Sequence, residues 1–151
     1  KVRDYGIDRS HFRLSNGEIN PNCDITLEGY GATMNELSSY IGIRQMADLD
    51  NILDKQRDNA IKWHDKLTAL SDVKPLPYDS NTLPNFWVYG VLCEDKDKAL
   101  EAFRKQDWYA TGVHINNDVY SIFGKQNALK GVNSFMEKFL ALPCGWWVNV
   151  E

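Results

Sequence analysis

The chain has little cysteine, little proline and no long apolar run, and each shortage closes off a class of protein. Cys23, Cys93 and Cys144 are its only cysteines, odd in number and without C-x-x-C spacing, so neither a zinc site nor a redox pair is indicated. A reducing, cytoplasmic setting is the simplest expectation. An excess of positive charge is also missing: 17 basic residues against 21 acidic ones leave a formal net charge of -4. The basic residues are scattered among the acids, which disfavours a nucleic-acid partner that must be gripped by its phosphates. The apolar stretches Phe86 to Cys93, broken by Gly90, and Phe139 to Pro143 fall well short of the roughly 18 residues a membrane helix requires. No apolar h-region follows Lys1, so no secretory leader is indicated. No serine or cysteine has a paired base at a legible spacing, which leaves a hydrolase triad unsupported, and no metal-ligand cluster is expected.

What remains, at 151 residues with 43% hydrophobic and 25% charged, is the composition of one ordinary globular domain with a real core. Its ends, Lys1 and Trp146-Trp147-Val148-Asn149-Val150-Glu151, carry no terminal signal and predict a piece of something longer. Two adjacent tryptophans bury more apolar area than a small terminal strand covers; one ring is expected on the domain's own core and the other on a missing segment.

Residues 1–32 carry turn chemistry, with Asn16-Gly17, Asn20-Pro21-Asn22 and Gly29-Tyr30-Gly31, and no sustained period. They read as an irregular lead-in, and residues 33–151 as the domain proper. Thr33-Met34-Asn35-Glu36 fits a capping box, predicting a helix from Met34 with Leu37 and Ile41 on one face and Gly42 marking close packing. Leu49, Leu53, Ala60, Trp63, Leu67 and Leu70 keep a helical rhythm, with Asp48 or Asp50 as cap. The opposite face, Asp54 to Lys66, is a solvated charge run. Pro75, Pro77 and Pro84 mark a linker. Phe86 to Cys93 predicts a strand, Asp95 caps a helix through Phe103, Thr111 to Ile115 predicts a second strand, 132–138 a short helix, and Phe139 to Cys144 a third strand. The whole is an α+β arrangement of long helices on a small sheet.

Chemistry could sit in two places. Gly29-Tyr30-Gly31-Ala32 runs into a helix start where free N–H groups could cradle an anion, although glycine before a helix also serves simply as a turn, and neither a Walker lysine nor the full dinucleotide glycine pattern is present. His114 with Asn116-Asn117-Asp118 forms a polar patch at a strand end. It reads either as a structural histidine beside an ordinary turn or as a binding cluster. His11 and His64 read as surface residues.

Taken together, Arg3-Asp4-Tyr5-Gly6-Ile7-Asp8-Arg9, the block Gly29 to Leu37 with Ile41-Gly42-Ile43, Gln45 and Leu49-Asp50, Arg57 with Asn59-Ala60, Gly112-Val113-His114 with Asn117-Asp118, and Leu142-Pro143 resemble the DegT/DnrJ/StrS nucleotide-sugar aminotransferases, pyridoxal-phosphate enzymes of fold type I. The resemblance implies the small C-terminal domain of such an enzyme, with the missing N-terminal large domain and a second subunit as partners. It implies transfer of an amino group, usually from glutamate, to a keto-sugar on a nucleotide. The Schiff-base lysine and the aspartate facing the pyridine nitrogen lie upstream in that family, so no catalytic residue is expected in this chain, which alone should be inactive. Tyr30 and Gly31 are the implied cofactor-side residues, acting through backbone N–H groups because the family's asparagine is replaced by Gly31. His114, Asn116, Asn117 and Asp118 are the implied substrate side. A dehydratase of the same family using the aminated cofactor, or a stand-alone binding or assembly module, are the alternatives.

Overall fold

The computed structural model describes residues 1, 4–31, 34–124 and 127–151. Helix α1 spans Glu36–Met46 and α2 Leu49–Leu67, followed by strand β1 (Val73–Pro75), β2 (Val88–Cys93), helix α3 (Lys96–Lys105), two 3₁₀ turns at Asn117–Val119 and Ser121–Phe123, helix α4 (Lys130–Met136) and strand β3 (Phe139–Pro143). The strands form one antiparallel sheet in the order β1-β2-β3, with Val73 opposite Cys93 and Val88 opposite Pro143.

The core follows from alternation on β2. Tyr89, Val91 and Cys93 are buried while their neighbours are only partly so, the period-2 signature of a strand with one fully covered face. Leu140 and Leu142 of β3 join them, and α2 covers this face with Ala60, Trp63 and Leu67. Trp63 meets Phe103 of α3 edge-on at 6.1 Å and Trp108 at 4.8 Å, and its indole N–H donates to the Pro143 carbonyl at 2.9 Å. A buried indole thus keeps a partner for its one polar atom. Asn59, buried on α2, donates to the carbonyls of Gly145 and Val148 and accepts from the Val150 N–H. That amide fastens the last residues of the chain to the core. Burial pushes the thiols of Cys93 and Cys144 up to about 11, so both behave as small apolar core residues rather than nucleophiles.

Several expectations need correction. Helix α1 begins at Glu36, and its cap is Asn35, whose side chain accepts from the Ser38 N–H at 2.8 Å; Thr33 lies outside the described residues. Gly42 sits inside α1 but does not mark close packing, because no residue of α1 is buried and an added Cβ would meet only Met34 Cε at 3.4 Å. Asp48 occupies the cap position of α2 without capping it, its carboxylate accepting instead from the Asn51 side chain at 2.5 Å. Helix α2 stops at Leu67, leaving Leu70 exposed. The proline linker contains β1, where Pro75 ends an edge strand, a position that tolerates the missing N–H. Thr111 to Ile115 is not a strand: Thr111 makes one isolated bridge to Ala141 and pairing goes no further. Neither Trp146 nor Trp147 enters the core; the two rings pack edge-on against each other at 5.8 Å and remain 44% and 69% exposed.

The described residues of the lead-in form no helix or strand and make the isolated bridges Asp4 to Gly31 and Arg13 to Ile19. The lead-in is nonetheless tied to the domain by polar contacts. Asp24 accepts from the Ser121 N–H and hydroxyl at 2.8 and 2.7 Å, and the Ile122 N–H donates to the Ile25 carbonyl at 3.1 Å. Glu18 pairs with Arg104 at 2.5 Å.

Candidate functional site

Where the lead-in folds back over the 3₁₀ turns and α4, it encloses a cleft of about 910 Å³. Glu28, Gly29 and Tyr30 form one wall and His114, Asn116 and Asn117 another, while Ile25, Ile122, Val132 and Met136 contribute apolar floor. Two sequence segments more than eighty residues apart, singled out on independent grounds, thus meet at one cavity. A volume of this size with an apolar floor and a few converging polar groups has the character of a small-molecule site.

The placement of individual residues is less uniform. Tyr30 lines the cleft and is largely exposed. Gly31 does not line it, because it is packed under Tyr5: a Cβ there would lie 2.2 Å from the Tyr5 hydroxyl oxygen. Gly29 is glycine for a similar reason, since a Cβ would strike the Gly6 backbone nitrogen at 1.9 Å. Close approach of the Tyr5-Gly6 backbone to Gly29, and of the Tyr5 ring to Gly31, therefore accounts for both glycines without an anion. Asp118 is on the first 3₁₀ turn with Asn117 but does not line the cleft.

His114 is exposed at the cleft wall, its ring 6.4 Å from that of Trp87 at a 34° tilt. Asn116 is fixed by donating to Asn133 on α4 at 2.5 Å, which leaves its own Oδ1 buried without a partner. Among the described lining residues no lysine or arginine occurs, and Glu28 is the one charged group. Lys96, which borders an adjoining hollow with His114 and Asn116, commits its ammonium to the Met136 carbonyl at 2.9 Å. Among the described residues the lining therefore offers no amine to bind an aldehyde and no cation to hold a phosphate. The described lining does not by itself fit pyridoxal phosphate. No group of three or more potential metal ligands occurs among the described residues, and no described helix is long and apolar enough to cross a membrane.

The apolar floor escaped sequence reading because it is drawn from three separated segments with no common period. His64, read as a plain surface residue, is exposed but bonds through Nδ1 to the Tyr89 hydroxyl at 3.2 Å.

Comparison with known proteins gives this geometry its context. Residues 1–150 match the model of the DegT/DnrJ/EryC1/StrS aminotransferase family, and the chain belongs to that family. Its fold is similar to the sugar aminotransferase CalS13 of Micromonospora echinospora, with a TM-score of 0.71 at 23% identity over 98% of this chain and 39% of that one. AtS13 of Actinomadura melliaura gives 0.70 at 27% identity, again over 98% and 39%. PseC of Helicobacter pylori, an aminotransferase involved in the biosynthesis of pseudoaminic acid, gives 0.68 at 19% identity over 99% and 40%. The chain thus spans about two fifths of the length of the solved structures it resembles. Among curated proteins no match was found.

Proposed function

We propose that this chain is the C-terminal small-domain part of a pyridoxal-phosphate-dependent aminotransferase that moves an amino group, from glutamate in the first instance, to a nucleotide-linked keto-sugar in the cytoplasm. Family membership supports the reaction class. The dehydratase and the stand-alone module are not favoured by the comparisons. The cofactor, when bound, supplies the electron sink for moving the amino group. This chain's own residues have a narrower task, which is to form one wall of the site. On this reading the chain alone is inactive, because residues 33–151 are a small domain and residues 1–32 its lead-in from a large domain that supplies the lysine.

The observation that carries the reading is the meeting of the 28–30 turn with His114, Asn116 and Asn117 at one cleft. Its chemistry favours the sugar end of the substrate over the diphosphate. An apolar floor with amide and imidazole groups at the rim suits a ring bearing hydroxyls, whereas two phosphates call for cations, and none occurs among the described residues of this wall. A homodimer is proposed because α1 presents an apolar surface that none of the described residues covers.

The test uses the complete enzyme with His114→Gln. If the imidazole orients the sugar, the half-reaction with keto-sugar slows by about tenfold or more, roughly the loss of one good polar contact, while the half-reaction with glutamate keeps its rate. Equal losses in both half-reactions would return His114 to a structural role.

A further inference from the structure

His114 reaches the cleft from a backbone arrangement that its own sequence neighbours do not explain. Its N–H donates to the Gly112 carbonyl at 2.6 Å, across Val113, whose φ is +58°. An i to i+2 bond around a residue of positive φ is the rare, strained form of γ-turn. A β-branched residue there is an outlier that persists only where the surroundings over-determine it.

What over-determines it is visible one step back along the chain. Glu18, from the lead-in, accepts the Gly112 N–H on Oε2 at 3.2 Å and takes Arg104 on Oε1 at 2.5 Å. Arg104 in turn holds the Ala110 carbonyl through Nε and Nη2, at 3.2 and 3.1 Å. The Val113 N–H is occupied by the Thr111 hydroxyl at 3.2 Å. Every residue from Ala110 to His114 is thus held by a named polar contact, and the carboxylate of Glu18 sits at the hub. Neither Glu18 nor Arg104 lines the cleft.

We propose that Glu18 is a positioning residue: through Gly112 and the strained turn at Val113 it sets the imidazole of His114 against Trp87 at the cleft wall. The importance of this for turnover rests on the substrate role proposed above for His114, but the positioning itself does not.

The experiment therefore reads position first. In the 151-residue chain, a nuclear Overhauser cross-peak between the rings of His114 and Trp87, identified by its loss in Trp87→Leu, reports their contact. Glu18→Ala should abolish it while the core resonances persist, and Glu18→Gln should restore it, because an amide oxygen still accepts from Gly112. Val113→Gly should weaken it without lowering stability, since glycine relieves the strain but frees the turn. A folded Glu18→Ala chain with an undiminished cross-peak overturns the proposal. If Glu18→Ala does not fold, Glu18→Asp, whose carboxylate falls one methylene short of the Gly112 N–H, decides: an undiminished cross-peak overturns the proposal, and a weakened one supports it. In the complete enzyme Glu18→Ala should raise KM for the keto-sugar more than it lowers kcat. A lost cross-peak with unchanged kinetics upholds the positioning and instead removes His114 from the substrate reading.

Discussion

Helices α1 and α2 follow each other with two residues between them, both carry apolar residues at helical spacing, and they end in opposite circumstances. Helix α2 buries Ala60, Trp63 and Leu67 against the sheet and Asn59 against residues 145–150. Helix α1 buries nothing: Leu37, Ile43 and Met46 are 68%, 71% and 65% exposed. At 11 residues it is shorter than the 12 to 15 or so at which an isolated helix becomes even marginally stable in water. The contrast separates two questions that a hydrophobic pattern merges. Periodicity says that a helix has an apolar face, and only the fold says whether the covering surface belongs to the same chain. For α1 no described residue supplies it, which agrees with a chain that spans about two fifths of its solved relatives.

The largest expected effect tests this contrast directly. Trp63→Ala removes the centre of the aromatic cluster and leaves the Pro143 carbonyl without its donor; the loss should be about 3–5 kcal/mol, a large share of the stability of an ordinary domain. Leu37→Ala in the same chain should cost under about 0.5 kcal/mol, as a surface substitution does. Urea titration of both variants measures the pair. A Leu37→Ala penalty comparable to that of a core leucine would mean that α1 is covered after all, and the comparison would collapse.

How much of this was legible follows the same division. Helix α2 could be read because Ala60, Trp63 and Leu67 keep one rhythm and one partner. The strand at Val88–Cys93 could be read because its alternation is local. Thr111 to Ile115 misled because its β-branched residues resemble a strand, while the Gly112 N–H goes to a carboxylate from the lead-in and Val113 turns left-handed. No local pattern carries that information, since Glu18 is 94 residues away along the chain. The same holds for the cleft. His114, Asn116 and Asn117 stood out as polar residues at an element's end, but Ile25, Ile122, Val132 and Met136 look like ordinary apolar residues until the lead-in is laid across them.

A middle-sized effect concerns what α1 does when its own chain leaves it bare. Met34, Leu37, Tyr40, Ile41 and Ile43 together form an exposed apolar surface of the kind that marks an interface. The isolated chain should therefore self-associate in sedimentation at micromolar concentration. Leu37→Glu with Ile41→Glu should return it to a monomer, while folding stability changes little. A wild-type chain that sediments as a monomer at all concentrations would sharpen the comparison differently, showing that α1 waits for a dissimilar surface and not for its own copy.

The smallest effect belongs to the lead-in, which is held neither like α2 nor left bare like α1. It is joined to the cleft wall largely by hydrogen bonds, and Asp24 is the clearest of these. The Ser121 N–H, and after it the Ser121 hydroxyl, hold the Asp24 carboxyl below its ordinary value. The sign follows from linkage. Well above the ordinary value of about 3.9, folded and unfolded chains both carry the carboxylate and the stabilisation is complete. As the pH falls through that value, the unfolded chain takes up the proton first, so the contribution drains away and is gone once the folded carboxyl also protonates. Asp24→Asn keeps one acceptor for Ser121 but removes the titration. Stability measured as the pH falls from about 5 through the ordinary carboxylate value should therefore fall less steeply in Asp24→Asn than in the native chain. Because Asp4 and Asp8 are lowered as well, by contacts among residues 1–10, a residual acid slope will persist in the variant. Identical slopes in the two proteins would mean that the lead-in does not depend on Asp24, and that apolar contact along the cleft floor holds it in place.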